Sequence, residues 1–197
     1  MPARPIIVGI SGASGAILAR RTVGELLDRE LPTIVVCSNG GRLVWQDELG
    51  VSFNEALSQW REHPRFTSYS VGDLRAPIAS GTFPTGGMVV VPCSMNSVAS
   101  LAHGLSNNLL LRAADVCLKE KRRLVLVPRE TPLHAIHLEN LLALSRMGVT
   151  ILPPEPAFYL QPQSVDDIAR FVVERVLVAL GVEDELPEDL QYQEKAD

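Results

Sequence analysis

The sequence predicts an α/β domain built around a mainly parallel sheet. Three observations point there. Short aliphatic runs recur at Ile6–Ile10, Thr33–Cys37, 88–91, 124–127 and 149–152, the pattern of strands buried on both faces. Stretches of helical periodicity lie between them, as expected when parallel strands are joined by helical crossovers. Glycine and small polar residues collect just after the runs, at the carboxyl ends where open α/β sheets hold their ligands.

Taken in order, Ile6–Ile10 reads as a buried strand, Ser11-Gly-Ala-Ser-Gly15 as a tight turn and 16–29 as a helix. This is the opening of a nucleotide-type α/β unit. Gly12-Ala13-Ser14-Gly15 is not a GxGxxG fingerprint, so a dinucleotide is poorly supported. Helix-start amides beside Ser14 would suit an anion or the edge of a flavin, and a plain strand-to-helix turn is the other reading. After the second strand, Ser38 can cap a helix running to about Glu48; a carboxylate so placed is ordinarily solvated. Residues 50–75 are mixed, with two short amphipathic pieces. The small-residue loop 79–87 delivers the central strand 88–91. Ser94, Asn96 and Ser97 then either bind a flat polar ring or cap the next helix. Cys93 reads as a packed thiol.

The stretch 112–130 reads as a helix, a strand and a loop. Arg112 and Lys119 fall within about 20° of each other on the helix, an unfavourable pairing unless an anion lies opposite. Arg129 follows the next strand at its carboxyl end. A phosphate held by Arg112, Lys119 and Arg129 is the working expectation; a solvated helix end is the alternative. His134 and His137 share a helical face without a carboxylate or third ligand, so no metal site is expected. Beyond 149–152 comes a stiff aromatic loop at 156–162. Ser164 then caps the helix 165–180, in which Arg175 stands among Phe171, Val172, Val173, Val176 and Leu177, where an unpaired cation is costly.

Composition sets the bounds. The 197 residues, 46% hydrophobic, suffice for one domain with a real core, and we place it at 1–181, with 182–197 an acidic C-terminal tail. A net charge of −5 without a basic tail argues against nucleic acid. No apolar run approaches the roughly 20 residues that span a membrane. Three scattered cysteines, without a CxxC, suit a reduced, cytoplasmic protein. Aromatics are only 5%, and an aliphatic soluble chain of this kind is expected to bury surface in an oligomer.

Seven strings, in order, carry a resemblance: GISGASGA (9–16), ASGTF (79–83), MVVVPCSM (88–95), RAADVCLKE (112–120), LVLVPRETPL (124–133), HLEN (137–140) and PPEPAFYLQPQS (153–164). Together they resemble the flavin prenyltransferase family, the UbiX and phenylacrylic acid decarboxylase-associated flavoproteins. The resemblance implies a Rossmann-like or flavodoxin-like three-layer sandwich and a homo-oligomer, a dodecamer. It implies FMN and dimethylallyl monophosphate as ligands. The prenyl group would be joined to flavin N5 and C6, and the product passed to a UbiD-type decarboxylase. Carried over by motif, Gly12, Ala13, Ser14, Ser38, Ser94, Met95, Asn96, Ser97 and Arg129 would touch FMN. Arg112, Lys119, Glu130, Tyr159 and Arg175 would surround the prenyl phosphate, and Ser14 with Glu48 would serve the proton transfers. Asp166-Asp167-Ile168-Ala169-Arg170 is not the DDxxD of magnesium-dependent prenyltransferases, which agrees with a metal-free monophosphate reaction. Asn39-Gly40-Gly41, Leu74 and Asn96 depart from the commoner family residues. A flavin-dependent cysteine decarboxylase would need a His before the central strand and a Trp in the loop after it. Ala76-Pro77-Ile78-Ala79 and Ser97-Val98-Ala99-Ser100 supply neither. A non-catalytic flavin carrier would not need a second phosphate site.

Overall fold

The computed structural model describes residues 3–193. Six strands form one sheet in the order β3-β2-β1-β4-β5-β6, every pair parallel. They are β1 (Ile6–Ile10), β2 (Thr33–Cys37), β3 (Phe66–Ser70), β4 (Gly87–Cys93), β5 (Leu124–Pro128) and β6 (Thr150–Ile151). This is the doubly wound order of the Rossmann type, with its switch point between β1 and β4. The sandwich expected from the sequence is therefore the one adopted, and its central strands match the aliphatic runs.

Side-chain alternation divides the core into two layers. Val8, Ile10, Val35, Val89 and Val125 face α1 (Ala16–Asp28), α2 (Asn39–Leu49), α3 (Phe53–Trp60) and α7 (Val165–Leu180). Ile7, Ile34, Val36, Met88, Val90 and Leu126 face α4 (Met95–Ala102), α5 (Leu109–Lys119) and α6 (Ala135–Arg146). All residues of β1, β2, β4 and β5 are buried. That is why these four strands read as unbroken apolar runs.

The mixed stretch 50–75 holds α3 and the edge strand β3. Trp45 packs edge-on against Phe53 and Trp60, with centroids 5.2 and 5.5 Å away, and Phe66 lies 5.7 Å from Trp60. In β3 only Phe66 is buried, the remaining residues being polar or half-exposed, so its period is weak. At the other edge, β6 is shorter than the apolar run 149–152 suggests.

Arg175 does not lie in apolar surroundings. It sits roughly 130° of helix rotation from the centre of the buried stripe of α7, and it is exposed, with no hydrogen bond or ion pair among the described residues. The buried charge is its neighbour Glu174, only 5% exposed and 3.6 Å from Arg29 Nη2. The acidic stretch 182–197 also departs from a free tail. Residues 182–193 fold back on α7 and bury Leu190, while 194–197 lie outside the described residues.

Candidate functional site

Three strands end on a serine: Ile10-Ser11, Cys37-Ser38 and Cys93-Ser94. Ser11 ties the two sides of the switch point together. Its backbone N–H and its hydroxyl both donate to Pro92 O, at 3.2 and 3.0 Å, and its Oγ accepts from Ser94 N at 2.7 Å. Sequence reasoning passed over Ser11, although a hydroxyl after each of three neighbouring strands was the available signal. Ser38 accepts from Gly41 N and caps α2, and Ser94 accepts from Ser97 N and caps α4. The adjacent thiols are not reactive, since burial raises both Cys37 and Cys93 to about 12.

These serines line a cavity of about 320 Å³ together with Gly12, Gly40, Asn96, Asn108, Leu110 and Leu111. Capping and lining are thus compatible, because each cap uses one acceptor of the hydroxyl; the Ser94 and Ser97 hydroxyls also share a hydrogen bond at 3.1 Å. Gly12 and Gly40 touch backbone to backbone: a Cβ on Gly12 would stand 3.1 Å from Gly40 Cα. At Gly41 a Cβ would come 2.8 Å from Ile10 O, which gives the Asn39-Gly40-Gly41 variation a steric meaning, since the first turn of α2 lies directly on the end of β1. A lining of hydroxyls and side-chain amides together with Leu110 and Leu111 fits a heteroaromatic ring with a polar edge, as in FMN. Ala13 and Met95 are buried and do not line this cavity.

On the far side of the same turn, Glu48 reaches back from α2 to the start of α1. That helix has no capping side chain of its own, its N-cap Gly15 standing at φ 118°. Glu48 Oε2 accepts from Ala16 N at 2.8 Å and from Gly15 N at 3.0 Å, and Oε1 lies 3.2 Å from Gly15 N. The anion at this helix terminus is therefore the chain's own carboxylate, and not an open phosphate cradle as the turn suggested. Burial pushes the Glu48 carboxyl up, but the Ser14 hydroxyl, the amides of Ala16 and Gly15, and Arg129 outweigh it and hold the group below its ordinary value. The Ser14 hydroxyl and Glu48, drawn from two separate segments, are thus partners, and Arg129 adds its positive charge from the carboxyl end of β5. Arg129 is anchored by its N–H to Cys93 O at 3.1 Å and is exposed.

The remaining cations lie elsewhere. Arg112 Nε donates to Ala79 O at 3.0 Å and Nη1 pairs with Asp115 at 2.8 Å. Lys119 pairs with Glu120 beside Gly81. The start of α5 lies at the cavity and its end near the amino edge of the sheet, so Lys119 and Arg129 sit at opposite edges. One chain therefore does not gather Arg112, Lys119 and Arg129 around one phosphate. Glu130 is exposed, Oε1 accepting from Thr131 N at 3.0 Å. Tyr159, in the loop before α7, stands edge-on to Tyr192, 5.8 Å away. No hydrogen bond joins Tyr159 to Arg175 among the described residues. The aspartates of 166–170 have structural partners: Asp166 pairs with Arg21, and Asp167 completes the capping box of α7.

A family model described as Flavoprotein matches residues 1–177. The flavin prenyltransferase UbiX of Chlamydia pneumoniae is 45% identical over 187 residues, covering 95% of each chain. Among solved structures, a dodecameric FMN-dependent UbiX-like decarboxylase from Escherichia coli O157:H7 superposes with a TM-score of 0.88 at 43% identity, covering 96% of this chain and 100% of that one. AnUbiX (PadA1), in complex with FMN and dimethylallyl pyrophosphate, gives a TM-score of 0.89 at 35% identity, covering 99% and 100%.

Proposed function

The chain belongs to the flavin prenyltransferase family of flavoproteins, and on that premise we propose that it joins the dimethylallyl group of dimethylallyl monophosphate to N5 and C6 of reduced FMN. The observation that carries this reading is the hydroxyl-lined cavity at the switch point, with the Glu48 carboxylate held at the start of α1 in the turn that follows β1. When bound, the flavin supplies the two nucleophilic atoms. The chain's residues do the rest. Gly12, Ser38, Ser94, Asn96 and Ser97 bind the ring edge-on and fix its orientation. Glu48, ionised at neutral pH, accepts a hydrogen bond from the Ser14 hydroxyl, and the pair would serve the proton changes of the second bond, in which the donor's double bond gains a proton and C6 loses one. Arg129, exposed at the carboxyl end of β5, is placed to meet an anionic group of the ligand.

Breaking the allylic C–O bond leaves inorganic phosphate and a cationic allyl group. Arg112, Lys119, Arg175 and the Tyr159 hydroxyl are suited to take the departing charge as preorganised donors. Because Lys119 and Arg129 occupy opposite edges of the sheet, this set acts in an assembly, each site drawing on more than one copy. Ile136, Leu138, Leu142 and Met147 on and after α6, at least half exposed though apolar, offer surface for such contacts. The E. coli neighbour's dodecameric state supports the same conclusion. No step calls for a metal, since Asp166 and Asp167 are engaged in an ion pair and a cap. The product is a modified flavin with no further reaction in this site, which suits transfer to a UbiD-type decarboxylase. The test is phosphate release from dimethylallyl monophosphate, which should require both the protein and reduced FMN. Release without flavin would mark a phosphatase, and no release would reject the transfer.

A further inference from the structure

After α7 the chain turns back instead of running free. Gly181 at φ 68° ends the helix, and Glu183 Oε1 accepts from Nε of Arg29, the residue that follows α1, at 2.6 Å. Asp189 receives both terminal nitrogens of Arg170 on α7, at 2.5 and 3.1 Å, and next to this anchor Leu190 is buried to 7% exposure. Gln191 Nε2 closes the turn on Leu186 O at 2.6 Å. An acidic stretch with no apolar run would be expected to stay solvated. Here one leucine and two arginine–carboxylate pairs, one of them bidentate, dock it.

The end of this stretch carries its use. Tyr192, 75% exposed, stands edge-on to Tyr159 at 5.8 Å and 66°. The two rings form one side of a groove of about 680 Å³ shared with Phe158, Gln191 and Gln193. Among the described residues, the hydrogen bonds that tie the loop bearing Tyr159 to α7 lie at its base, where Gln163 N and Ser164 N donate to Asp167 Oδ2 at 2.9 Å. Within the loop, Gln161 is left-handed at φ 52°. The Tyr159 ring has Tyr192 as its aromatic neighbour, and its hydroxyl has no hydrogen-bond partner among the described residues.

We propose that residues 182–193 are a strap that seats the 157–163 loop, with Tyr192 as the positioning residue for Tyr159. The inference rests on the reading of Tyr159 as a ligand of the donor phosphate. Docked, the strap presents the Tyr159 hydroxyl in one orientation; undocked, the loop must be ordered at the moment the donor binds, at a cost in donor affinity and not in flavin affinity.

Tyr192→Ala and Tyr192→Phe test this in the full chain, with three readouts: the KM for dimethylallyl monophosphate against kcat, the Kd for FMN, and amide hydrogen exchange in 157–163. An edge-on aromatic pair predicts that Tyr192→Ala raises donor KM roughly two- to tenfold. FMN affinity and kcat should stay near wild type, and exchange in the loop should quicken. Tyr192→Phe keeps the ring and should restore all three. Unchanged loop exchange in Tyr192→Ala overturns the strap whatever the kinetics show. Equal loss in Tyr192→Phe overturns positioning, because the hydroxyl and not the ring would then be needed. If the wild-type protein transfers no prenyl group, the functional reading fails, and loop exchange alone decides whether the strap exists.

Discussion

Replacing Glu48 by Gln separates its two roles. The carboxylate closes the bare start of α1, accepting from Gly15 N and Ala16 N, and it also acts as the partner of Ser14. Gln can still accept from both amides through an oxygen in the place of Oε2, but its NH₂ then stands where Oε1 faced Gly15 N and the charge opposing the helix dipole is gone. Loss of a cap and of a dipole partner costs about 0.5–2 kcal/mol. For a chain of this size about 2–4 °C in Tm accompanies each kcal/mol, so melting should fall by roughly 1–8 °C. Glu48 is held below its ordinary value, so its stabilisation is full above that value, 4.5, and is lost as pH falls through the lowered one. The gap in Tm between wild type and variant should therefore be widest near neutral pH and close in acid. FMN affinity, measured by fluorescence titration, should change little. Turnover should fall roughly 10²–10⁴-fold, the usual contribution of a positioned proton-transfer group. A variant with lowered Tm and unchanged turnover would reduce Glu48 to a cap and refute the proton-transfer role.

Three further outcomes follow from the same geometry. Gly12→Ala places a Cβ 3.1 Å from the Gly40 backbone; overpacking of about 1–3 kcal/mol should weaken FMN binding roughly tenfold or more by fluorescence titration, and unaltered affinity would move the flavin away from this turn. EDTA should leave prenyl transfer unchanged, and restoration of a lost rate by magnesium would show that Arg112, Lys119 and Arg175 do not neutralise the leaving phosphate. Arg175→Ala should weaken donor binding roughly 10–100-fold, as loss of hydrogen bonds to a charged group does. Because Arg175 is exposed, stability should shift by no more than about 0.5 kcal/mol; a large drop in Tm, with donor binding intact, would reassign it to packing.

The sequence made the four inner strands legible because each is buried on both faces and so has no polar alternation to blur it. The edge strand β3 was not legible: Phe66 alone of its residues is buried, and Thr67, Ser68 and Ser70 carry no apolar period. Serine caps were readable from position, as Ser38, Ser94 and Ser164 each stand one residue before a helix. The dual use of Ser38 and Ser94 as caps and cavity lining needed coordinates. So did Glu48, whose partners Gly15 and Ala16 lie 33 and 32 residues away in sequence. The Arg112 and Lys119 stripe was readable, but its distance from Arg129 depended on which way α5 runs across the sheet. Arg175 and Glu174 flank the buried stripe of α7 on opposite sides, and it is Arg29, on another helix, that makes Glu174 the inward charge.

The central claim is that this chain builds a new carbon framework onto FMN. Its most direct test is the mass spectrum of reduced FMN after incubation with the protein and dimethylallyl monophosphate. The expected product is a flavin heavier by a single five-carbon isoprene unit, formed only when protein, donor and reduced flavin are all present and absent when FMN is kept oxidised. Recovery of unmodified FMN alone, with protein that demonstrably binds both ligands, would contradict it.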